Sequence, residues 1–154
     1  MRAAVDTSLV IAALLSWHQH HPQAREALEP LLKSNHEVIL PARVLIESFS
    51  VMTRLPAPHR LDPADAVAAL EGTFRTDAKV TELGCLRYWR FLRGLPGHGV
   101  RGGAVYDAEI IECARRSKAD VLVTMNRRDF ERLADDATFV VGPEELERLV
   151  PEEQ

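Results

Sequence analysis

Four acidic residues in this chain are spaced so that folding can bring their carboxylates together. Asp6 directly follows the very short apolar run 3–5, and Glu47 lies about two helical turns beyond a second apolar run. Asp107 falls on the first turn of a predicted helix, and Asp129 comes after a further apolar run. Mg²⁺ and Mn²⁺ prefer such hard oxygen ligands, with water and substrate phosphate completing the coordination. The pattern therefore predicts a divalent-metal site.

The chemistry of such a site is hydrolytic. Carboxylate-bound Mg²⁺ or Mn²⁺ activates water for in-line attack on a phosphodiester and stabilises the leaving oxygen. This reaction needs no Ser, Cys or His nucleophile, and the sequence shows no obvious one. Asn126 is a further oxygen donor, and Ser8 and Thr124 are placed to orient the carboxylates by hydrogen bonds.

Hydrophobic patterning predicts the elements that must position these residues. Five short strand candidates span residues 3–5, 38–40, 79–83, 121–123 and 138–141. Helical patterns cover residues 9–17, 23–33, 44–52, 62 or 65 to 74, 86–92, 104–117, 129–133 and 144–149. Pro30 is expected to bend or shorten the second helix.

Strands that alternate with helices indicate a parallel sheet, because parallel strands need crossover connections that place helices on its faces. We therefore expect an α/β fold with three α/β/α layers, about five parallel strands and a single domain over residues 1–154. Ligands of such sheets gather at the carboxyl ends of the strands, where the strand order reverses. A reversal between the first and fourth strands would bring the acidic residues to one crevice.

Composition sets the broad class. The chain has 154 residues, 46% of them hydrophobic and 27% charged, which is ordinary for one globular domain. Cys85 and Cys113 show no CxxC or Cys/His spacing, so we expect reduced thiols in a cytoplasmic protein. The apolar run 9–15 follows Asp6, lacks a cleavage site and is too short to span a bilayer. A net charge of −4 argues against a non-specific nucleic-acid coat but not against a nuclease.

At this point the motifs resemble a known family, the PIN-domain ribonucleases, and in particular the VapC toxins of bacterial toxin–antitoxin pairs. The resemblance covers nearly the whole chain, including its length and the order of its elements. Four segments carry it: Val5-Asp6-Thr7-Ser8, the stretch 41–54 around Glu47, Tyr106-Asp107-Ala108, and Thr124-x-Asn126-x-x-Asp129-Phe130. It implies a magnesium-dependent endoribonuclease with an RNA substrate, cytoplasmic and homodimeric, that a small cognate antitoxin holds inactive.

The resemblance also implies roles for individual residues. Asp6, Glu47 and Asp107 match three acidic positions of the family, and all are expected to bind the metal and take part in catalysis. The family commonly places a fourth acid where Asn126 stands or just after it. Here Asn126 is neutral and Asp129 comes three residues later, so either residue can fill the fourth position, and one or two ions can be bound.

Purely structural roles are alternatives for the same acids. Asp6, Asp107 and Asp129 can each cap a helix, and Glu47 can form an ion pair with Arg43 or Arg54.

Other polar and aromatic residues also allow two interpretations. We expect the histidines at 18, 20 and 21 to be a solvated helix end rather than a zinc site. Arg87, Arg90 and Arg93 share one helix face, which is either solvated or a contact for RNA or antitoxin. Trp17 and Trp89 are expected in the core or a dimer interface.

Two other function classes compete with the nuclease. A magnesium-dependent phosphotransfer domain has a similar sheet. Haloacid-dehalogenase-like enzymes, however, have a second Asp at the position where Ser8 stands here, and the paired acids of receiver domains are not present. A PIN-like fold kept as a catalytically weak or inactive binding partner is the second competitor. The presence of Asp6, Glu47 and Asp107 together argues against it, while the neutral Asn126 leaves it open.

Overall fold

A five-stranded parallel sheet forms the centre of the molecule. The computed structural model describes residues 1–134, 136 and 139–150. The strands have the order β3-β2-β1-β4-β5, and every neighbouring pair is parallel. Their bounds are β1 Arg2–Val5, β2 Glu37–Pro41, β3 Ala78–Thr81, β4 Val121–Val123 and β5 Val140–Val141. The chain order reverses between β1 and β4, which is the arrangement that would bring the acidic residues to one crevice.

Helices connect the strands in each crossover. They are α1 Thr7–Leu14, α2 His21–Lys33, α3 Ala42–Arg54, α4 Pro63–Phe74, α5 Tyr88–Gly94, α6 Ala104–Arg116, α7 Arg127–Glu131 and α8 Pro143–Leu149. Single turns of 3-10 helix precede and follow α5, at Cys85–Arg87 and Pro96–His98. No helix in the described part of the chain is long and apolar enough to cross a membrane.

Both faces of the sheet are covered. Successive strand side chains point to opposite faces, yet Ala3, Ala4 and Val5 of β1 are all fully buried. The three residues of β4 are also buried. Helices therefore pack on both sides, and the predicted α/β/α architecture is confirmed.

The helix bounds differ from the predictions mainly at their ends. α1 begins at Thr7 because the Asp6 side chain accepts a hydrogen bond from the Leu9 N–H and caps the helix. α2 continues past Pro30 to Lys33, and Ser34 N–H and Oγ both donate to the Pro30 carbonyl. α7 begins at Arg127, two residues before the predicted start.

The structure also bears on the expectations for the last strand, the two tryptophans and the two cysteines. The last strand is described only at Val140–Val141, and its predicted first residue, Thr138, lies outside the described residues. Trp17 is 45% exposed and Trp89 is 68% exposed, so neither is a core residue. Both cysteines are free thiols, as expected.

Candidate active site

Asp6 lies at the carboxyl end of β1, in the middle of the sheet. Its side chain is almost fully buried and accepts hydrogen bonds from Leu9 N–H at 2.9 Å, Ser8 Oγ at 2.7 Å and Thr124 Oγ1 at 2.7 Å. Burial raises the pKa of Asp6, while these hydrogen bonds act in the opposite direction. The Asp6 carboxylate therefore caps α1 and also lines the cleft described below.

Ser8 and Thr124 join the two halves of the sheet at the point where strand order reverses. Ser8 Oγ lies 3.2 Å from Thr124 Oγ1 and accepts the Met125 N–H at 3.0 Å. Thr124 Oγ1 accepts the Asn126 N–H at 2.9 Å. The two hydroxyls thus fix the loop after β4 against the Asp6 carboxylate.

Glu47 occupies the second turn of α3 and faces the start of α1. Thr7 Oγ1 donates to Glu47 Oε2 at 2.7 Å. The alternative ion pairs with Arg43 and Arg54 are not formed, since Arg43 Nε instead binds Glu109 Oε2 at 2.8 Å. Glu47 is therefore hydrogen-bonded by a neutral hydroxyl, while its charge also acts on the nearby Arg43 and raises the pKa of that guanidinium.

The charges of the other three acids act on Asp107. Its pKa is raised to about 6, first by burial and then by the negative charges of Glu47, Asp6 and Asp129. No side chain caps α6, which begins after Gly103, so Asp107 does not have the capping role considered above. Besides burial, the charges of the other three carboxylates therefore act on Asp107.

A cleft of ≈ 460 Å³ opens over this region. Asp6, Asp107, Asn126 and Asp129 all line it, together with Ser8 and Thr7. Glu47 is not among its lining residues, but it is linked to the cleft through Thr7. The structure therefore brings Asp6, Asp107 and Asp129 to one crevice at the β1–β4 edge, with Glu47 beside it but not in its lining.

Asn126 and Asp129 both reach the cleft from the start of α7. Asn126 occupies the position before the first helical residue, without a capping hydrogen bond from its side chain. Asp129 is exposed in the first turn, so the N-cap role considered for it is wrong. Of these two residues, only Asp129 contributes charge to the site, and that charge acts on Asp107.

The donor set fits a hydrated Mg²⁺ better than an ion enclosed by protein. Within the described ranges, no group of three or more His, Cys, Asp or Glu side chains is arranged so that it could hold a metal ion by itself. Like charges keep carboxylates apart, and after burial this repulsion is the second cause of the raised pKa of Asp107. Mg²⁺ keeps several waters and typically uses one or two carboxylates, so an ion in this cleft would offset the negative charge.

Two features of this region were not expected from the sequence. Glu109 is 6% exposed and binds both Arg43 and, at 2.6 Å, the hydroxyl of Tyr88. His18 and His20, which follow the end of α1 and are partly exposed, also line the cleft. No local pattern in the sequence indicated the position of Glu109 or of the two histidines.

Two of the three arginines predicted to share a helix face line a separate cavity between α5 and α6. Arg87 and Arg90 line this space of ≈ 420 Å³ together with Arg115 and Arg116, while Arg93 does not. Ala108 also lines it, next in sequence to Asp107 in the acidic cleft. The basic cavity and the acidic cleft therefore flank the same first turns of α6.

Comparison with known proteins defines the class. A family model described as PIN domain matches residues 3–136. The chain belongs to the PIN-domain family.

The relatives of the chain within that family carry the name VapC. It is 34% identical over 139 residues to Ribonuclease VapC40 of Mycobacterium tuberculosis, covering 89% of this chain and 98% of that protein. This confirms the VapC resemblance noted from the four motifs.

Two solved structures share the fold. The crystal structure of VapBC2 from Rickettsia felis, bound to a DNA fragment from its promoter, matches with a TM-score of 0.64 and 19% identity, covering 92% of this chain and 98% of that one. The structure of Mycobacterium tuberculosis VapC20, described as a Sarcin-Ricin loop cleaving toxin, matches with a TM-score of 0.60 and 20% identity, covering 78% and 86%.

Proposed function

We propose that this protein is a magnesium-dependent endoribonuclease, the toxin of a toxin–antitoxin pair, that hydrolyses RNA phosphodiester bonds. The main support is the placement of Asp6, Asp107 and Asp129 in the lining of one cleft. Glu47 lies beside it, and burial together with the charges of the other three acids raises the pKa of Asp107 to about 6. The kinship with Ribonuclease VapC40 supports the reaction class, and the name given to VapC20 supports RNA as the substrate.

Asp6, Glu47 and Asp107 would hold the metal, with Asp129 in the fourth position and Asn126 beside it. A bound Mg²⁺ supplies Lewis-acid stabilisation of the leaving oxygen and lowers the pKa of water. Ser8 and Thr124 keep the Asp6 carboxylate in one orientation through their hydrogen bonds. We assign the fourth position to Asp129 rather than Asn126 because its negative charge acts on Asp107.

The partners follow from the same kinship. The VapBC2 of Rickettsia felis was crystallised with a DNA fragment from its promoter, and we infer a cognate small antitoxin for this chain. We also propose a homodimer, for which exposed apolar side chains on α3 and α5, such as Ile46 and Trp89, offer surface. An RNA substrate and two free thiols favour the cytoplasm.

The test is cleavage of total cellular RNA by purified protein freed of antitoxin. We expect cuts with Mg²⁺, none with EDTA, and none with Asp107→Asn. Asp77→Asn, on an exposed turn outside the cleft, is the matched control and should cleave normally. If folded wild-type protein cut no RNA under any of these conditions, the chain would instead be the inactive binding partner.

A further inference from the structure

Four aromatic rings form a row that leads from the surface into the acidic cleft. The ring of His59 lies 4.1 Å from that of Trp17, with 31° between their planes. Trp17 is followed by His18 at 6.1 Å, and His18 by His20 at 5.8 Å. His18 and His20 line the cleft that contains the carboxylates. We call His59, Trp17, His18 and His20 the ring row.

The loop between α1 and α2 carries three of the four rings, those of Trp17, His18 and His20, and His59 follows α3. His18 Nδ1 accepts the backbone N–H of His20 at 3.2 Å, and His18 N–H donates to the Leu15 carbonyl at 2.9 Å. His21 Nδ1 donates to the Ala12 carbonyl in α1 at 2.9 Å. These bonds order the loop before any ligand arrives, which lowers the entropic cost of binding.

The same contacts define the state of His18. Because its Nδ1 accepts a hydrogen bond, the proton of the neutral ring lies on Nε2. Burial lowers the pKa of His18, and the neighbouring His20 and His21 lower it further. His18 therefore presents a neutral ring to the cleft.

An uncharged contact suits this part of the site. RNA phosphates are repelled by the carboxylates of the cleft, and the chain itself carries a net charge of −4. Stacking of a base on an aromatic ring requires no charge, and unpaired RNA bases are commonly recognised in this way. Trp17 is 45% exposed, so part of its large surface is available to a ligand.

We propose that the ring row binds an unpaired base of the RNA beside the cleaved bond, with Trp17 as the stacking surface and His18 Nε2 as a hydrogen-bonding group. The inference rests on the proposed endoribonuclease function and adds a base-recognition site to it. Phosphate contacts are then left to residues outside the ring row.

Trp17 fluorescence tests this directly. The chain has two tryptophans, so Trp89→Phe makes the emission report on Trp17, and Asp107→Asn keeps the RNA intact. We expect a mixed-sequence single-stranded oligoribonucleotide to quench the emission, and an abasic oligomer with the same backbone to leave it unchanged. Equal quenching by both oligomers would show a phosphate contact and overturn the proposal.

Substitutions give the second measurement, in the Asp107→Asn background, with binding read from the fluorescence anisotropy of a dye-labelled oligoribonucleotide. Trp17→Ala should weaken binding of the oligoribonucleotide roughly 5- to 100-fold, the effect of losing one stacked base. Trp17→Phe should restore most of the affinity, and His18→Ala should weaken binding several-fold. Leu149→Ala, which removes another exposed apolar side chain outside the cleft, is the matched control. If Trp17→Ala fails to fold, His18→Ala and His59→Ala provide the same comparison.

The outcomes separate this inference from the function on which it rests. If the wild-type protein cleaves RNA but Trp17→Ala and His18→Ala bind and cleave as well as it does, the ring row is not a base site while the nuclease stands. If base-dependent quenching occurs without cleavage by the wild-type protein, the base site stands and the nuclease fails. Weaker binding of the cognate antitoxin with unchanged RNA binding would assign the row to a protein interface and overturn the proposal.

Discussion

Arg43 Nε lies 2.8 Å from Glu109 Oε2, and this ion pair joins the helix that carries Glu47 to the helix that carries Asp107. Arg43 also lies over the ring of Tyr106, 4.7 Å from its centroid. Tyr88 donates to the other oxygen of Glu109, which raises the pKa of Tyr88 to about 12. Glu109 thus links α3, α5 and α6 behind the acidic cleft.

Replacing Glu109 should destabilise the fold. Glu109→Ala leaves Arg43 and the Tyr88 hydroxyl without their partner in a mostly buried setting, so we expect a loss of roughly 3 kcal/mol in the free energy of unfolding, measured in urea. The control is Glu112→Ala, which removes a partly exposed pair with Arg116 on the same helix and should change stability by less than about 0.5 kcal/mol. Equal effects of the two substitutions would refute the linking role.

Thr124 offers a test of how Asp6 is oriented. Thr124→Val keeps the shape of the side chain but removes the hydroxyl that donates to Asp6 Oδ2 at 2.7 Å. We expect Mg²⁺ affinity, measured by calorimetry, to fall about 10- to 100-fold, while Thr124→Ser retains it. An unchanged affinity in Thr124→Val would mean that this hydroxyl does not prepare the carboxylate for metal.

Asp107 makes stability depend on pH. The pKa of Asp107 is raised from 3.8, the value taken for the unfolded chain, to about 6 in the folded state. The folded state therefore binds the proton more tightly than the unfolded state does. Stability from this group is therefore present at low pH and is lost as pH rises from about 4 through 6. At pH 7.5 without metal, Asp107→Asn should be more stable than wild type by about 1 kcal/mol, a value reduced for the half-exposed position.

The same substitution should remove much of the response to metal. Mg²⁺ binds the folded state and should raise the melting temperature of the wild-type protein more at pH 7.5 than at pH 5, since protons compete for Asp107. In Asp107→Asn the increase should be small at both values. The exposed Asp77→Asn variant should behave like wild type, and a metal response retained in full by Asp107→Asn would exclude Asp107 as a ligand.

The sheet and the acidic cleft were predictable because their signals are local. The apolar run 121–123 became β4 residue for residue, and acids that follow strands must return to the carboxyl edge of a parallel sheet. The pair Arg43–Glu109 depends on how α3 packs beside α6, and periodicity gives the buried face of a helix but not the partner of one side chain. The entry of His18 into the cleft depends likewise on the path of a loop.

The basic cavity beside α6 predicts a second, electrostatic contribution to RNA binding. Arg90 lines it and has no ion pair among the described residues. Arg90→Ala should weaken RNA binding for every sequence, and the slope of log affinity against log salt should fall by roughly 0.7, the value for one phosphate contact on a single strand. Arg75→Ala, which removes an exposed arginine paired with Glu71 on α4, is the control. An unchanged slope would mean that Arg90 makes no phosphate contact and that this face contacts the antitoxin or solvent instead.

Asp129 and Asn126 are neighbours in the cleft that differ in charge, so paired substitutions can assign the fourth position. Of these two residues, Asp129 is the one whose negative charge acts on Asp107. Asp129→Asn should therefore lower the pKa of Asp107, measured by NMR titration without metal, and should weaken Mg²⁺ binding. Asn126→Ala should leave that pKa nearly unchanged and have a smaller effect on Mg²⁺ affinity. The reverse order of effects on Mg²⁺ affinity would assign the fourth position to Asn126, with Asp129 acting only through its charge.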